Sequence, residues 1–121
     1  MAITGRRRGT VGAWGEARAA AHLEALGWQV LDRNWRCRQG EIDLVVRDPE
    51  GTVVLVEVKT RSGLGYGHPL ESITRAKQAK LRELAIRWWR EHRGTRRVRV
   101  DAIGVLRTRD GVHLTHVRGV A

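Results

Sequence analysis

The residues whose types and spacing suggest chemistry are two carboxylates and a lysine in the middle of the chain. Asp43 ends the run Gly-Glu-Ile-Asp, and Glu57 and Lys59 belong to Val-Glu-Val-Lys. The Asp-Pro-Glu-Gly sequence between the two runs has strong turn chemistry and predicts a β-hairpin. If the turn is centred on Glu50, Asp43 lies opposite Glu57, with Cβ atoms about 5 Å apart on one face. Lys59, two residues further along the strand, joins that face.

Two carboxylates that face each other repel and weaken a strand pair, so this register predicts a compensating cation. Mg²⁺ takes one or two carboxylates together with water and substrate phosphate, and the backbone carbonyl of Val58 would add an oxygen. We therefore expect Mg²⁺, or Mn²⁺, between Asp43 and Glu57. A turn centred half a residue earlier would place Asp43 opposite Val56, and local turn signals do not choose between these registers. In the alternative interpretation, Glu57 and Lys59 are solvated strand residues that form a weak ion pair.

A third carboxylate, Glu16, lies in an Ala-rich segment that predicts a helix from about Trp14 to Leu26. Glu16 shares a helical face with Ala20 and Leu23, four and seven residues later, which is the face expected to meet the sheet. A carboxylate at the edge of an apolar face needs a partner. Glu16 is therefore a candidate for the same site, with a capping or surface role as the alternative.

The remaining pattern predicts the elements that position these residues, in the order α-β-β-β-α-β-β. The expected strands are Trp28–Leu31, Ile42–Arg47, Thr52–Lys59, Arg97–Leu106 and Val112–Val117, and the second helix runs from a cap at Ser72 or Thr74 to about His92. Asn34–Gly40 is expected to be a polar connection and Ser62–Pro69 a glycine-rich loop. The predicted fold class is α/β, a mixed central sheet flanked by helices. Residues 1–12 are expected to be a flexible basic arm and residues 13–121 a single domain.

Composition restricts the class of partner. The formal net charge is +10, and 20 arginines stand against 3 lysines. Guanidinium groups bind phosphate oxygens in pairs, so this balance favours a polyanion such as nucleic acid. Residues 39–59 are the exception, with two basic and five acidic side chains, and this acidic segment contains the predicted hairpin. No apolar run approaches a membrane span, and the single cysteine, Cys37, allows no internal disulfide, so we expect a cytoplasmic protein.

The hairpin motifs resemble those of the YraN-like family of small bacterial proteins. Further landmarks of that family are similar to Gly15-Glu16-Ala17, Asn34-Trp35-Arg36-Cys37, Thr74-Arg75-Ala76-Lys77-Gln78 and Arg99-Val100-Asp101, so the resemblance extends from about Gly12 to Ala102. That family in turn resembles the PD-(D/E)xK nuclease superfamily, particularly the archaeal-type Holliday junction resolvases. The resemblance implies a restriction-endonuclease-like α-β-β-β-α-β core.

The resemblance also implies roles for single residues. Asp43 and Glu57 match the acidic pair that binds metal, Lys59 matches the motif lysine, and Glu16 matches the helix-borne glutamate of resolvase-like members. Ile42 precedes Asp43 where the superfamily signature has proline. The implied activity is metal-dependent hydrolysis of phosphodiester bonds in DNA, with branched or repair and recombination substrates among the candidates.

Basic residues are expected to contact the phosphates of the substrate. These candidates are Arg6, Arg7, Arg8, Arg61 and Lys77. DNA is favoured over RNA, and the resolvase-like relatives suggest a homodimer. Two further hypotheses stay open. One is a non-catalytic nucleic-acid-binding module with a degenerate or unused nuclease site, and the other is a subunit whose basic faces bind an acidic protein.

Overall fold

Residues 10–63, 67–95 and 97–121, which the computed structural model describes, form a five-stranded sheet with a helix on each face. The elements are α1 (Val11–Ala25), β1 (Gln29–Cys37), β2 (Gly40–Arg47), β3 (Val53–Ser62), a 3₁₀ turn (Pro69–Ser72), α2 (Arg75–Glu91), β4 (Val98–Thr108) and β5 (Gly111–Val117). The strand order is β1-β2-β3-β4-β5, with β3 and β4 parallel and the other neighbours antiparallel. The predicted element order and the mixed α/β sheet are confirmed. Within these ranges no helix is long and apolar enough to span a bilayer.

The first helix begins earlier than the sequence pattern indicated. Thr10 caps α1, because its hydroxyl oxygen accepts a hydrogen bond from the Ala13 N–H at 3.1 Å. Val11 and Gly12 are therefore helical, and the predicted arm at residues 1–12 is too long by these two residues. Residues 1–9 of that arm, including Arg6, Arg7 and Arg8, lie outside the described residues.

The segment from Asn34 to Gly40 was expected to be a connection, and this prediction is wrong. β1 continues to Cys37 and pairs with β2 through partners such as Arg36 and Glu41. An edge strand needs only backbone hydrogen bonds on one side, so polar side chains are tolerated where the strand is partly exposed. Trp35 and Cys37 still pack against the core beneath α2.

Strand β3 separates two apolar layers because its side chains alternate between the faces of the sheet. Val54, Val56 and Val58 point toward α1 and are buried in that layer. Val53 and Leu55 point the other way and pack beneath α2. The α1 layer is completed by Ala19, Ala20, Leu23, Trp28, Leu44, Val46, Ile103 and Val105, and the α2 layer by Ile42, Val45, Leu81, Leu84, Ala85, Trp88 and Val100. Both faces of β3 are thus covered along its first half.

The β2–β3 turn fixes the alignment of the hairpin. Asp48 is buried, and its Oδ1 accepts hydrogen bonds from the N–H groups of Glu50 and Thr52, each at 2.9 Å. This aspartate-centred turn pairs Arg47 with Val53 at the start of the ladder. Every later pair in the hairpin follows from that alignment, including the residues of the candidate site.

Candidate active site

The hairpin register is the one that predicts Asp43 opposite Glu57. The paired residues run from Arg47 with Val53 to Leu44 with Val56, where the described ladder ends. Of the two registers that the turn signals left open, this is the one centred on Glu50, and its continuation by one residue would align Asp43 with Glu57. Asp43 is buried, with 3% of its surface exposed, whereas Glu57 is partly exposed.

Asp43 reaches β3 through its side chain. Its Oδ2 accepts a hydrogen bond from the Val58 N–H at 2.8 Å, one step beyond the last backbone pair of the ladder. The N–H and C=O of one strand residue point to the same side, so the Val58 carbonyl also faces β2 beside Asp43. This orientation agrees with the predicted role of that carbonyl as an additional oxygen ligand.

Glu57, Lys59 and Arg61 form a row along the face of β3 that lies on the α2 side. The Lys59 Nζ is 3.1 Å from Glu57 Oε2, so part of the negative charge is compensated within the row. Arg61 continues the row, and its Nε is buried without a hydrogen-bond partner among the described residues. One carboxylate followed by two cations along a strand is an arrangement that suits a phosphodiester beside a metal ion.

A glycine of β4, Gly104, leaves room beside this row for side chains of the 3₁₀ turn. Gly104 of β4 pairs with Lys59, and a Cβ on Gly104 would lie 3.0 Å from the Leu70 side chain and 3.2 Å from His68 Cε1. His68 begins the 3₁₀ turn, and its Nδ1 accepts a hydrogen bond from the Leu70 N–H at 3.2 Å. The sequence pattern placed His68 within the glycine-rich loop expected at Ser62–Pro69. The signal that could have predicted the position of His68 is Gly104, because a glycine inside a strand often marks a close approach by another segment.

Glu16 is on α1, next to the point where this helix contacts β3. A Cβ on the preceding Gly15 would overlap the Thr60 side chain, so α1 packs directly against β3 here. Glu16 is buried, with 7% of its surface exposed. In the described ranges, no three His, Cys, Asp or Glu side chains are grouped to hold a metal ion. Glu16 therefore lies on α1, beside the contact that this helix makes with Thr60 of β3.

The remaining residues predicted to contact phosphates are Lys77, which the structure describes, and three arginines near the start of the chain, which it does not. Lys77 is exposed in the first turn of α2, where its N–H donates to the Thr74 hydroxyl oxygen at 3.2 Å. It precedes Leu81 and Leu84 on the helical face that meets the sheet, so it lies on the sheet side of the helix. Arg6, Arg7 and Arg8 fall outside the described residues.

The residues at the hairpin fit a hard divalent cation. Two carboxylates and a carbonyl form an oxygen-only donor set, which is the set that Mg²⁺ and Mn²⁺ prefer. The Val58 N–H orients Asp43 through a single backbone hydrogen bond to Oδ2. Orientation of a ligating carboxylate by a hydrogen bond is a common feature of metal sites.

Sequence reasoning missed the structural role of another buried carboxylate, Asp101. It is fully buried, and its oxygens accept hydrogen bonds from Arg99 at 2.8 and 3.1 Å, from the Gly119 N–H at 3.0 Å, and lie 2.8 Å from His116 Nε2. Burial raises the pKa of Asp101, but the hydrogen bonds from His116, Arg99 and Gly119 outweigh it and lower the pKa to about 2. The same contact with Asp101 raises the pKa of Arg99. No sequence signal beyond the Arg-Val-Asp run links these distant residues.

Comparison with known proteins places the sequence among close relatives. The profile of Uncharacterised protein family UPF0102 matches residues 15–105. A UPF0102 protein of Beutenbergia cavernae is 55% identical over 117 residues, covering 95% of this chain and 98% of the relative. A UPF0102 protein of Acidothermus cellulolyticus is 47% identical over 131 aligned residues, covering 98% of each chain. One from Clavibacter michiganensis is 56% identical over 106 residues, covering 87% of this chain and 89% of the relative.

Proposed function

The chain belongs to Uncharacterised protein family UPF0102, and we propose that it is a metal-dependent nuclease that hydrolyses phosphodiester bonds in DNA. The family match agrees with the resemblance to the YraN-like proteins. We further propose that the sheet and its two helices are a restriction-endonuclease-like core of the PD-(D/E)xK type. Branched DNA is the substrate class that the resolvase-like resemblance favours.

The observation that carries this proposal is the hairpin register, whose continuation by one residue would align Asp43 with Glu57 beside Lys59. Facing carboxylates weaken a strand pair unless a cation compensates them. The Val58 N–H holds Asp43 at 2.8 Å, and Lys59 lies 3.1 Å from Glu57. A hairpin that only needed stability would gain from an apolar or oppositely charged pair at this position.

Asp43, Glu57 and the Val58 carbonyl are the groups that would hold Mg²⁺ or Mn²⁺. When bound, such an ion would polarise the scissile phosphate and lower the pKa of a coordinated water. Lys59 would then exchange its contact with Glu57 for the phosphate and neutralise charge that develops there. Glu16, on the α1 side, would hold a water that serves the metal or the attacking group.

Basic residues around the hairpin would bind the flanking phosphates. Arg61 offers a buried Nε that has no hydrogen-bond partner among the described residues, and Lys77 is exposed at the start of α2. Each such phosphate contact releases counterions and makes binding depend more steeply on salt. Arg6, Arg7 and Arg8 would add contacts of the same kind. A cytoplasmic location and a homodimer remain part of this proposal.

A second candidate is a nucleic-acid-binding module that does not cleave. The observation that favours it is the ion pair between Lys59 and Glu57, because a carboxylate satisfied by lysine has less need of a metal. This candidate predicts DNA binding that weakens with salt and is indifferent to EDTA. It also predicts that no DNA structure is cleaved.

The two candidates are separated by cleavage assays with labelled branched, single-stranded and duplex DNA in Mg²⁺ or Mn²⁺. The nuclease proposal expects metal-dependent products from the wild type and none from Asp43→Ala or Glu57→Ala. Lys59→Ala should lower the rate constant about 10²- to 10³-fold, as loss of a group that stabilises transition-state charge does.

Binding of the same DNA in EDTA serves as the control for these variants. A variant that binds normally but does not cut has lost chemistry rather than fold. If Asp43→Ala and Glu57→Ala cut as fast as the wild type, the nuclease assignment to this site is wrong. If the wild type cuts no substrate with either metal, the binding module becomes the better account.

A further inference from the structure

The outer face of α2 carries an exposed aromatic and aliphatic patch at the edge of the sheet. Trp89 is 50% exposed and Ile86 is 45% exposed. Arg82, Ile86 and Trp89 share one helical face at positions i, i+4 and i+7, and Arg90 follows Ile86 by one turn. These four residues are referred to below as the Trp89 platform.

The platform is shaped by two shallow cavities on either side of Ile86. One, of about 220 Å³, lies between α2 and the start of β4 and includes Arg82, Trp89 and Val98 in its lining. The other, of about 290 Å³, is lined in part by Glu83 and Arg90. An aromatic ring beside a concave surface with arginines on both sides differs from the isolated apolar residues that are ordinary on protein surfaces.

Trp89 is fixed before any partner binds. Its Nε1–H donates a hydrogen bond to the Thr95 carbonyl oxygen at 3.0 Å. The ring orientation is therefore set by the chain itself, which reduces the conformational entropy lost on binding. Because the indole N–H is used internally, what Trp89 offers to a partner is the face of the ring.

The charge around the platform favours an anionic partner. Arg82 and Arg90 are exposed and make no ion pair within the described residues, whereas Arg87 is paired with Glu91 at 3.3 Å. Glu83 is the remaining acidic side chain on this part of the helix. Guanidinium groups bind phosphate oxygens, and an exposed indole stacks on nucleobases.

We propose that the Trp89 platform binds single-stranded nucleic acid, with Trp89 stacked on an unpaired base and Arg82 and Arg90 on adjacent phosphates. A base inside a duplex offers no free face for stacking, so unpaired nucleotides are the class that fits. Trp89 lies about 18 Å along the helix axis from Lys77, at 1.5 Å per residue. The platform shares no residue with the proposed metal site, and the inference concerns binding whether or not the chain cleaves.

The test measures fluorescence anisotropy of a labelled oligodeoxythymidylate of about 20 nucleotides, longer than the footprint of many single domains. The full chain is titrated in EDTA, which prevents metal-dependent cleavage. Trp89→Leu should raise the Kd about tenfold or more, the usual cost of losing one stacked base. Trp89→Phe keeps an aromatic face and should bind close to the wild type. A duplex of equal length should lose much less affinity with Trp89→Leu.

Arginine variants test the phosphate contacts. Arg82→Ala and Arg90→Ala should each reduce the slope of log K against log salt by about 0.7, the value for one phosphate on a single strand. Arg109→Ala is the matched control, because Arg109 is an exposed arginine in the turn between β4 and β5. It should leave the slope nearly unchanged.

Three outcomes would overturn the inference. They are unchanged binding by Trp89→Leu, an equal loss on single strand and duplex, or competition by polyglutamate as strong as that by unlabelled oligonucleotide. The last result would indicate an acidic protein as the partner. Circular dichroism of each variant establishes that it is folded. If Asp43→Ala cleaves normally while Trp89→Leu loses single-strand binding, the proposed nuclease site is wrong and the platform stands.

Discussion

Asp43 and Asp101 are both buried aspartates on strands that flank β3, yet their surroundings differ. Asp101 receives hydrogen bonds from Arg99 and from the Gly119 N–H, and His116 lies 2.8 Å away. Asp43 accepts a hydrogen bond from the Val58 N–H, and the hairpin register, continued by one residue, would align it with the carboxylate of Glu57. Burial alone therefore does not identify a candidate metal ligand. The two cases differ in the charge of the groups that surround each carboxylate.

The difference indicates a division between stability and chemistry. A carboxylate enclosed by an arginine and a backbone N–H stabilises the folded state, since its charged form is favoured there. Two carboxylates held opposite each other destabilise the folded state and gain from a bound cation. Substitution of Asp43 should therefore affect mainly cleavage, and substitution of Asp101 should affect mainly stability.

The largest expected effect is on cleavage. Asp43→Asn should lower the single-turnover rate constant for a branched DNA about 10³-fold, because the amide weakens binding of the cation that the proposal requires, and this corresponds to about 4 kcal/mol in the barrier. Asp101→Asn, corrected for its folded fraction, should cut within about threefold of the wild type if it acts only through stability. Equal losses in both variants would contradict the division.

The next largest effect is on stability. Asp101→Ala should lower the free energy of unfolding in urea by about 2–3 kcal/mol, because Arg99, His116 and the Gly119 N–H lose their acceptor and Arg99 keeps only its 3.5 Å ion pair with Asp48. Asp43→Asn should change it by less than about 1 kcal/mol, since the side-chain oxygen still accepts from Val58 and carboxylate repulsion is relieved. A loss in Asp43→Asn as large as that in Asp101→Ala would show that both residues are mainly structural.

The dependence of the unfolding free energy on pH tests the role of Asp101. Its pKa is about 2 in the folded protein and 3.8 ordinarily, so its contribution is complete above about pH 4 and is lost as pH falls toward 2. The wild type should therefore lose about 2 kcal/mol of unfolding free energy over that range from this group. Asp101→Asn should lack that part of the acid dependence. Identical acid profiles for the two proteins would rule out the assigned role.

The smallest expected effect concerns the packing of α1 against β3. Gly15→Ala should cost about 1–3 kcal/mol, because the new methyl overlaps Thr60. Gly12→Ala is the matched control, since its Cβ would lie 3.7 Å from Thr10 Oγ1, an ordinary contact, and it should stabilise by up to about 1 kcal/mol. Cleavage should fall in Gly15→Ala alone, because Glu16 shifts with the helix. Both glycine variants should keep the loss of unfolding free energy that protonation of Asp101 causes between about pH 4 and pH 2.

Local sequence patterns were sufficient for the hairpin and the order of elements. The Asp-Pro-Glu-Gly turn restricts the register to two choices, and Asp48 selects one by accepting hydrogen bonds from Glu50 and Thr52. The alternating valines of β3 then define its faces. These features depend on residues close in sequence, which is why they could be predicted.

Features that depend on distant residues could not be predicted. His116 and Gly119 reach Asp101 across 15 and 18 positions, through the pairing of β4 with β5 and the chain beyond it. The overlap that requires glycine at position 15 involves Thr60 of another element. The continuation of β1 to Cys37 was missed for a different reason, because an edge strand can be held by backbone hydrogen bonds while its side chains stay polar.

The most direct test of the account is a crystal soaked in Mn²⁺ and measured for anomalous scattering. We predict an anomalous peak that contacts carboxylate oxygens of Asp43 and Glu57, absent from crystals of Asp43→Asn, with no peak at Asp101. A peak that persists in Asp43→Asn, or a wild-type crystal with no peak between Asp43 and Glu57, would contradict the account.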